Sequence, residues 1–300
     1  MTQPQFYAVA VLFSLIWSSA FVAGKVAMAE LDPFTVLAAR FCLSAALMLP
    51  LIRWQGAALL DRQTVRWGVL LGLLNNAVYL GLTFSALRTL RPEIVVVMVS
   101  CTPFLTTLFA ALAGLERIEI ARLVGIVLGF TGVVVMCGVA SPGSAPPDPL
   151  GLVLAAGGTL AFAAGTVLFR GRAHGLAILP VNFWQSVTGA VVLAPVALAS
   201  GGPWPVPAMP TVLALLYLAA VATIGGMALW LLLIRSRGAA KASACHLLNP
   251  VSGVVLSHLV LGTALRPTDF VGAAIIALGL ALTLRPSRDP AVRRAGAPAE

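Results

Sequence analysis

The chain has 300 residues, 60% of them hydrophobic and 10% charged, with a mean hydropathy of +1.00. Soluble domains carry roughly 25% charged residues, so this balance excludes a soluble enzyme or binding domain and indicates an integral membrane protein. A formal net charge of +9 does not point to nucleic acid, because the basic residues fall in short loops between apolar runs.

The apolar runs are helix-length and bounded by Arg, Gly or Pro, whereas barrel strands would be about ten residues long and alternating, so the fold is predicted to be an all-α membrane protein. Ten runs are long enough to span: 6–28, 34–52, 66–87, 92–114, 121–139, 150–170, 180–200, 211–234, 241–262 and 267–284. The start lacks a basic region and its apolar run is longer than a signal-peptide core, so it is expected to stay attached as the first span. Of nineteen basic residues, fourteen fall on the side shared by the two termini, three (Arg88, Arg91, Arg266) on the other, and two (Lys25, Arg40) within spans. That asymmetry predicts both termini in the cytoplasm of a bacterial inner membrane. Cys42, Cys101, Cys137 and Cys245 lie in apolar runs without metal-ligand spacing, and no cofactor or metal is expected.

The proline-rich stretch 141–149 divides the spans five and five, giving units 1–140 and 150–286 and a cytoplasmic tail 287–300. Units with an odd number of spans have opposite orientations. Adding 147 maps Arg88 to Arg235, Pro103 to Pro250, Gly125 to Gly272 and Gly132 to Gly279, so two inverted repeats are predicted. Pro103 and Pro250 sit at the middle of spans 4 and 9. Lacking an N–H, they would free the carbonyls of Val99 and His246, and such oxygens are tolerated within a membrane where other helices, water or solute meet them.

Several segments carry a family resemblance: WSSAFVAGK (Trp17 to Lys25), Arg40, and Pro103 followed by LERIEIARLVGIVLGFTGVVV (Leu115 to Val135). With their second-half counterparts they resemble the EamA-type family of the drug/metabolite transporter superfamily. The resemblance implies a cavity lined by spans 1–4 and 6–9, peripheral spans 5 and 10, and often export of amino acids or related metabolites. The family usually has a glutamate after spans 4 and 9; Glu116 fits, but position 263 is threonine.

All ten acidic residues lie in loops, tails or span ends, which argues against acid/base or metal-dependent catalysis and against an obligatory carboxylate proton relay. Polar residues inside spans are the candidate substrate contacts, because burying them in lipid is costly. Thr102 and Asn249, each preceding its proline and equivalent in the repeat, lead the set, together with Pro103, Pro250, Met98 and His246. Asn75, Tyr79 and Thr83 share a helix face with Asn76 beside it, and line the cavity or bond a neighbouring helix. Trp17 and Trp230 are candidate cavity walls, whereas Phe162 and Trp184 read as ordinary core or lipid-facing aromatics. Lys25 and Arg40 are the candidate charges, Gln185 being the repeat partner of Arg40. Glycine faces on spans 5 and 10 serve packing within the monomer or, alternatively, a homodimer contact. The partners are thus a small-molecule substrate and the bilayer. The expected function is export of neutral, hydrophobic (including aromatic) amino acids by alternating access; carriage of other metabolites or drugs, or membrane-embedded lipid modification, are the alternatives.

Overall fold

The computed structural model describes residues 1–90, 92–137, 146–200, 206–261 and 264–284. Most of the 141–149 linker, Arg91, Thr263 and the 287–300 tail lie outside the described residues. The described residues form ten helical spans: α1 (Gln3–Ala27), α2 (Pro33–Trp54), α3 (Arg62–Gly72 continuing to Tyr79–Ala86), α4 (Pro92–Val99 and Thr102–Leu112) and α5 (Ile120–Cys137). The second half supplies α6 (Pro149–Leu168), α7 (Ile178–Ser200), α8 (Met209–Tyr217 continuing to Met227–Arg237), α9 (Ala239–Ala244 continuing to Asn249–Leu261) and α10 (Pro267–Thr283). Nine are long and apolar enough to cross a membrane, and α10 is apolar but shorter.

The acidic residues at span ends have a structural task. Asp32, Asp61 and Asp148 each precede a helix and accept a backbone N–H of its first turn, from Phe34, Thr64 and Gly151. An N-cap carboxylate satisfies a donor the helix itself leaves open and faces the positive end of its dipole. The amides of Thr64 and Gly151 accordingly hold the carboxyls of Asp61 and Asp148 below the usual carboxylate range.

The interruptions recur at the repeat spacing. α3 contains a π-helical stretch at Leu73–Val78 and α8 one at Leu218–Gly226; adding 147 to the first gives 220–225, inside the second. α4 breaks at Ser100–Cys101 and resumes at Thr102, whereas α9 passes through a 3-10 turn at Cys245–Leu248 and resumes at Asn249, which is Thr102 plus 147. Even a surface ion pair is repeated with its signs exchanged: Glu119–Arg122 at 3.0 Å and Arg266–Asp269 at 3.3 Å.

α1–α4 interleave with α6–α9: α1 packs on α8 and α9, α2 on α7 and α8, α3 on α6 and α7, α4 on α6. α5 and α10 pack mainly on each other. A Cβ on Gly132 would meet the Gly272 carbonyl, and one on Gly279 would meet the backbone of Gly125 and Gly129. The small-residue faces therefore close on each other within the monomer, and a second copy would meet Val124, Val127, Val271 and Leu278, which are exposed.

Candidate substrate site

The centre of the bundle is an aromatic cluster around His246. Its ring lies edge-on to Phe13 and Trp17 of α1, Phe162 of α6 and Trp230 of α8, at centroid distances of 5.2, 5.4, 5.3 and 4.6 Å. Trp230 stacks on Phe13 and on Phe162, and Phe162 lies 4.6 Å from the ring of Tyr79. Edge-to-face and offset contacts of this kind add about 0.5–1.5 kcal/mol each beyond burial, which favours a preformed apolar wall. The polar tips are unused. With the Asn249 amide donating to His246 Nδ1 at 2.9 Å, the imidazole carries its proton on Nε2. His246 Nε2, Trp230 Nε1 and Asn249 Oδ1 are all buried without a hydrogen-bond partner.

A belt of polar side chains runs beside this cluster where α2 and α7 face the π stretches. Arg40 Nε donates to Thr223 Oγ1 at 3.1 Å, its guanidinium lies 5.0 Å over the Phe41 ring, and it is an electrostatic neighbour of Tyr79. In the other half, Asn75 Nδ2 donates to Gln185 Oε1 at 3.3 Å. Arg40 and Gln185, repeat partners on α2 and α7, thus each meet the π stretch of the opposite half. Asn182 Nδ2 donates to the carbonyls of Thr223 and Ile224 at 3.1 and 3.4 Å, which a regular α-helix would have kept for its own ladder. Asn75 Oδ1, Asn76 Nδ2, Asn182 Oδ1 and Gln185 Nε2 have no partner. Among the described residues no carboxylate pairs with Arg40.

The structure brings Trp17, Tyr79, Trp230, His246, Asn249, Arg40, Asn75, Asn76 and Gln185 into this centre and separates others from it. Lys25 is exposed near the end of α1, so its ammonium reaches water rather than an internal cavity. Met98 packs with Ala86, Leu90, Val95 and Ala155 in a cluster away from His246. The carbonyls expected to be freed by proline are already occupied: Val99 O accepts the Thr102 hydroxyl at 2.5 Å, and His246 O accepts the Asn249 N–H. Thr102, fully buried, is therefore a local cap beside the buried Pro103 rather than a free contact, while Asn249, next to the partly buried Pro250, keeps its amide oxygen. The α3 stripe packs on the glycines of α6: Asn75 against Gly165, and Thr83 with the Tyr79 carbonyl against Gly158.

Both breaks are braced by a hydroxyl from a neighbouring span. Ser18 of α1 donates to the Asn249 carbonyl at 2.9 Å, and Thr159 of α6 reaches the Met98 carbonyl at 3.4 Å. Ser14 and Ser252 bond at 2.8 Å, a further tie between α1 and α9. Pro103→Ala is therefore expected to add a backbone bond to the Val99 carbonyl, whose second lone pair is open beside the Thr102 hydroxyl, and to close the α4 break. Hydrogen exchange at the Cys101, Thr102 and Phe104 amides should slow by up to about tenfold, one hydrogen bond's worth. Unchanged exchange would show that the break does not depend on the proline.

Sequence reasoning missed Phe13, Ser18, Asn182 and Thr223, and set Phe162 aside as an ordinary core or lipid-facing aromatic, whereas its ring packs on His246 and Trp230. A cavity of about 410 Å³ opens elsewhere, between Gln55, residues 177–180, Ala228, Leu229 and Leu232, and holds none of the candidate residues.

Ten helical spans with paired interruptions around a buried polar and aromatic centre define a multi-pass carrier. The profile of the EamA-like transporter family matches residues 6–138 and 149–285, and the chain belongs to that family. It is 28% identical over 211 residues to protein PecM of Dickeya dadantii (strain 3937), covering 69% of each chain. It is 24% identical over 280 residues to the uncharacterized inner membrane transporter YedA of Escherichia coli (strain K12), covering 93% of this chain and 90% of that one. It is also 26% identical over 283 residues to a probable amino-acid metabolite efflux pump of the same strain, covering 90% and 92%. One solved crystal structure matches with a TM-score of 0.81 at 21% identity, over 99% of this chain and 100% of the other, a likeness of fold.

Proposed function

We propose that this transporter exports neutral amino acids with apolar, including aromatic, side chains, by alternating access between its two five-span halves in a bacterial inner membrane. The observation that carries the reading is Arg40: a guanidinium in the polar centre with no carboxylate partner among the described residues. A charge at that depth is costly and is retained where a ligand supplies the counter-charge. The carboxylate of an amino acid meets that need, and its ammonium meets the unpartnered oxygen Asn249 Oδ1. The rings of Trp17, Phe162 and Trp230 face the side chain. Relatives with transporter names, one of them a probable amino-acid metabolite efflux pump, support the same class. The basic-residue asymmetry supports both termini in the cytoplasm.

Counterflow in proteoliposomes tests this reading. Preloaded leucine or phenylalanine should drive uptake of labelled neutral amino acids without product formation, and the corresponding carboxamides should fail. Equal counterflow by acids and carboxamides would remove the carboxylate contact, and a chemically altered product would favour an enzyme.

A further inference from the structure

Among the described residues the two interrupted spans pack closely on each other at one end and mainly on other spans at the other. Thr102–Leu112 of α4 packs against Ala239–Ala244 of α9, whereas Pro92–Val99 packs on α5 and α6, and Asn249–Leu261 on α1. The joined end carries a bond set that ties α4 directly to α9. Glu116 Oε1 accepts the Ala239 N–H at 2.5 Å, and both carboxylate oxygens lie 3.4 Å from the Ala240 nitrogen. These amides open α9, where the helix has no acceptor of its own and its dipole favours an anion.

Two neighbours build the contact. Arg122, 5% exposed, holds Glu116 at 3.4 Å and Glu119 at 3.0 Å, so the carboxylate is aimed as well as neutralised. Gly238 has φ 87°, and a Cβ there would run into the Glu116 carboxylate. Glycine thus satisfies both the left-handed backbone and the close approach. The other end is built differently. The Arg122 position recurs as Asp269 and Glu119 as Arg266, but 147 residues beyond Glu116 stands Thr263, which has no carboxylate to bridge with.

We propose that Glu116 is a positioning residue of the transport cycle, a latch that holds α4 to α9 at the Gly238 end and must release for that end to open. It sets the default state: closed at the latched end and parted at the end where threonine replaces the acid. The inference rests on two-ended gating, but its test needs no substrate and so stands or fails apart from the proposed amino acid specificity.

The reporter is Cys245, fully buried at the break of α9 just beyond the latch. In protein retaining Cys245 alone, reconstituted in lipid nanodiscs, N-ethylmaleimide should react slowly. Glu116→Ala removes charge-assisted bonds of roughly 1.5–3 kcal/mol, which is about a 10- to 150-fold gain in the open fraction and in alkylation rate. Glu116→Gln, which keeps an acceptor oxygen, should fall between. Gly238→Ala, which displaces the carboxylate without removing it, should accelerate labelling too, and it serves if Glu116→Ala does not fold. Ser44→Cys, buried between α2 and α8 in protein without native cysteines, is the control for general loosening. Unchanged labelling of Cys245 in folded variants, or equal acceleration at Ser44→Cys, overturns the latch.

Discussion

Arg40→Gln is expected to lower the affinity for a neutral amino acid about 10- to 150-fold in counterflow while leaving thermal stability unchanged or higher. A charge-assisted hydrogen bond to a carboxylate contributes roughly 1.5–3 kcal/mol, and that is the part the amide loses. The stability side follows from desolvation: without substrate the guanidinium has a threonine hydroxyl and a phenylalanine face as partners, and a glutamine is cheaper to bury there. The two readouts separate a ligand role from a structural one. Were Arg40 present to tie α2 to α8, Arg40→Gln would lower the melting temperature and spare the affinity. The carboxamide series should converge on the same weak counterflow in wild type and variant, since neither pair retains both charges.

The largest effect on stability is expected at Gly279. A Cβ at this position meets the Gly129 nitrogen and the Gly125 carbonyl, which are backbone atoms that cannot turn aside. Gly279→Val should force α5 and α10 apart and cost at least about 1–3 kcal/mol, the usual penalty of overpacking, with more lost as the contacts on either side open. Gly253→Ala is the matched control, because nothing lies within 4 Å of a Cβ there. Counterflow per folded molecule should survive in Gly279→Val, as neither α5 nor α10 contributes a ring to the contacts around His246. A thermal scan showing equal melting for the two variants would remove the close backbone approach as a source of stability.

What was legible in the amino acids follows from how each residue acts. A proline removes an N–H from the helix ladder, and the mid-span Pro103 and Pro250 located both interruptions and the repeat spacing, whereas α2 and α7 continue through Pro50 and Pro195. Their consequence was less legible, because whether a carbonyl stays open depends on a neighbour's rotamer, and Thr102 turned back to occupy one. Glycine pairs on α5 and α10 were readable as close contacts, but the partner surface was not, since a small-residue face fits another helix or another copy equally well. Phe13 was invisible, and Phe162 was read as an ordinary aromatic, in spans that are apolar all round, where periodicity does not distinguish the face turned to lipid from the face turned to His246. Lys25 and Arg40 were separable by their distance from a span end, and Lys25 is exposed near the end of α1. The π stretches have no residue signature; at the second, Ser44 of α2 and Asn182 of α7 take carbonyls that its widened turns leave open.

Those stretches make spans three and eight longer in sequence than a straight screw of the same height requires. Each residue of an α-helix advances the phase by about 100°. A segment that can absorb or return one residue's advance lets the two ends of a span turn independently of each other. Tyr79 begins the regular helix after Leu73–Val78, and Met227 begins the one after Leu218–Gly226. Returning one stretch to the α register would swing Tyr79 away from Phe162, and returning the other would swing Trp230 away from Phe13, with little change in the length of membrane crossed. Apart from the π turn Phe169–Ala173 that ends α6, a bundle whose outer contour is fixed by lipid thus has an internal swivel in each half beside the place where the rings and the Arg40 guanidinium meet.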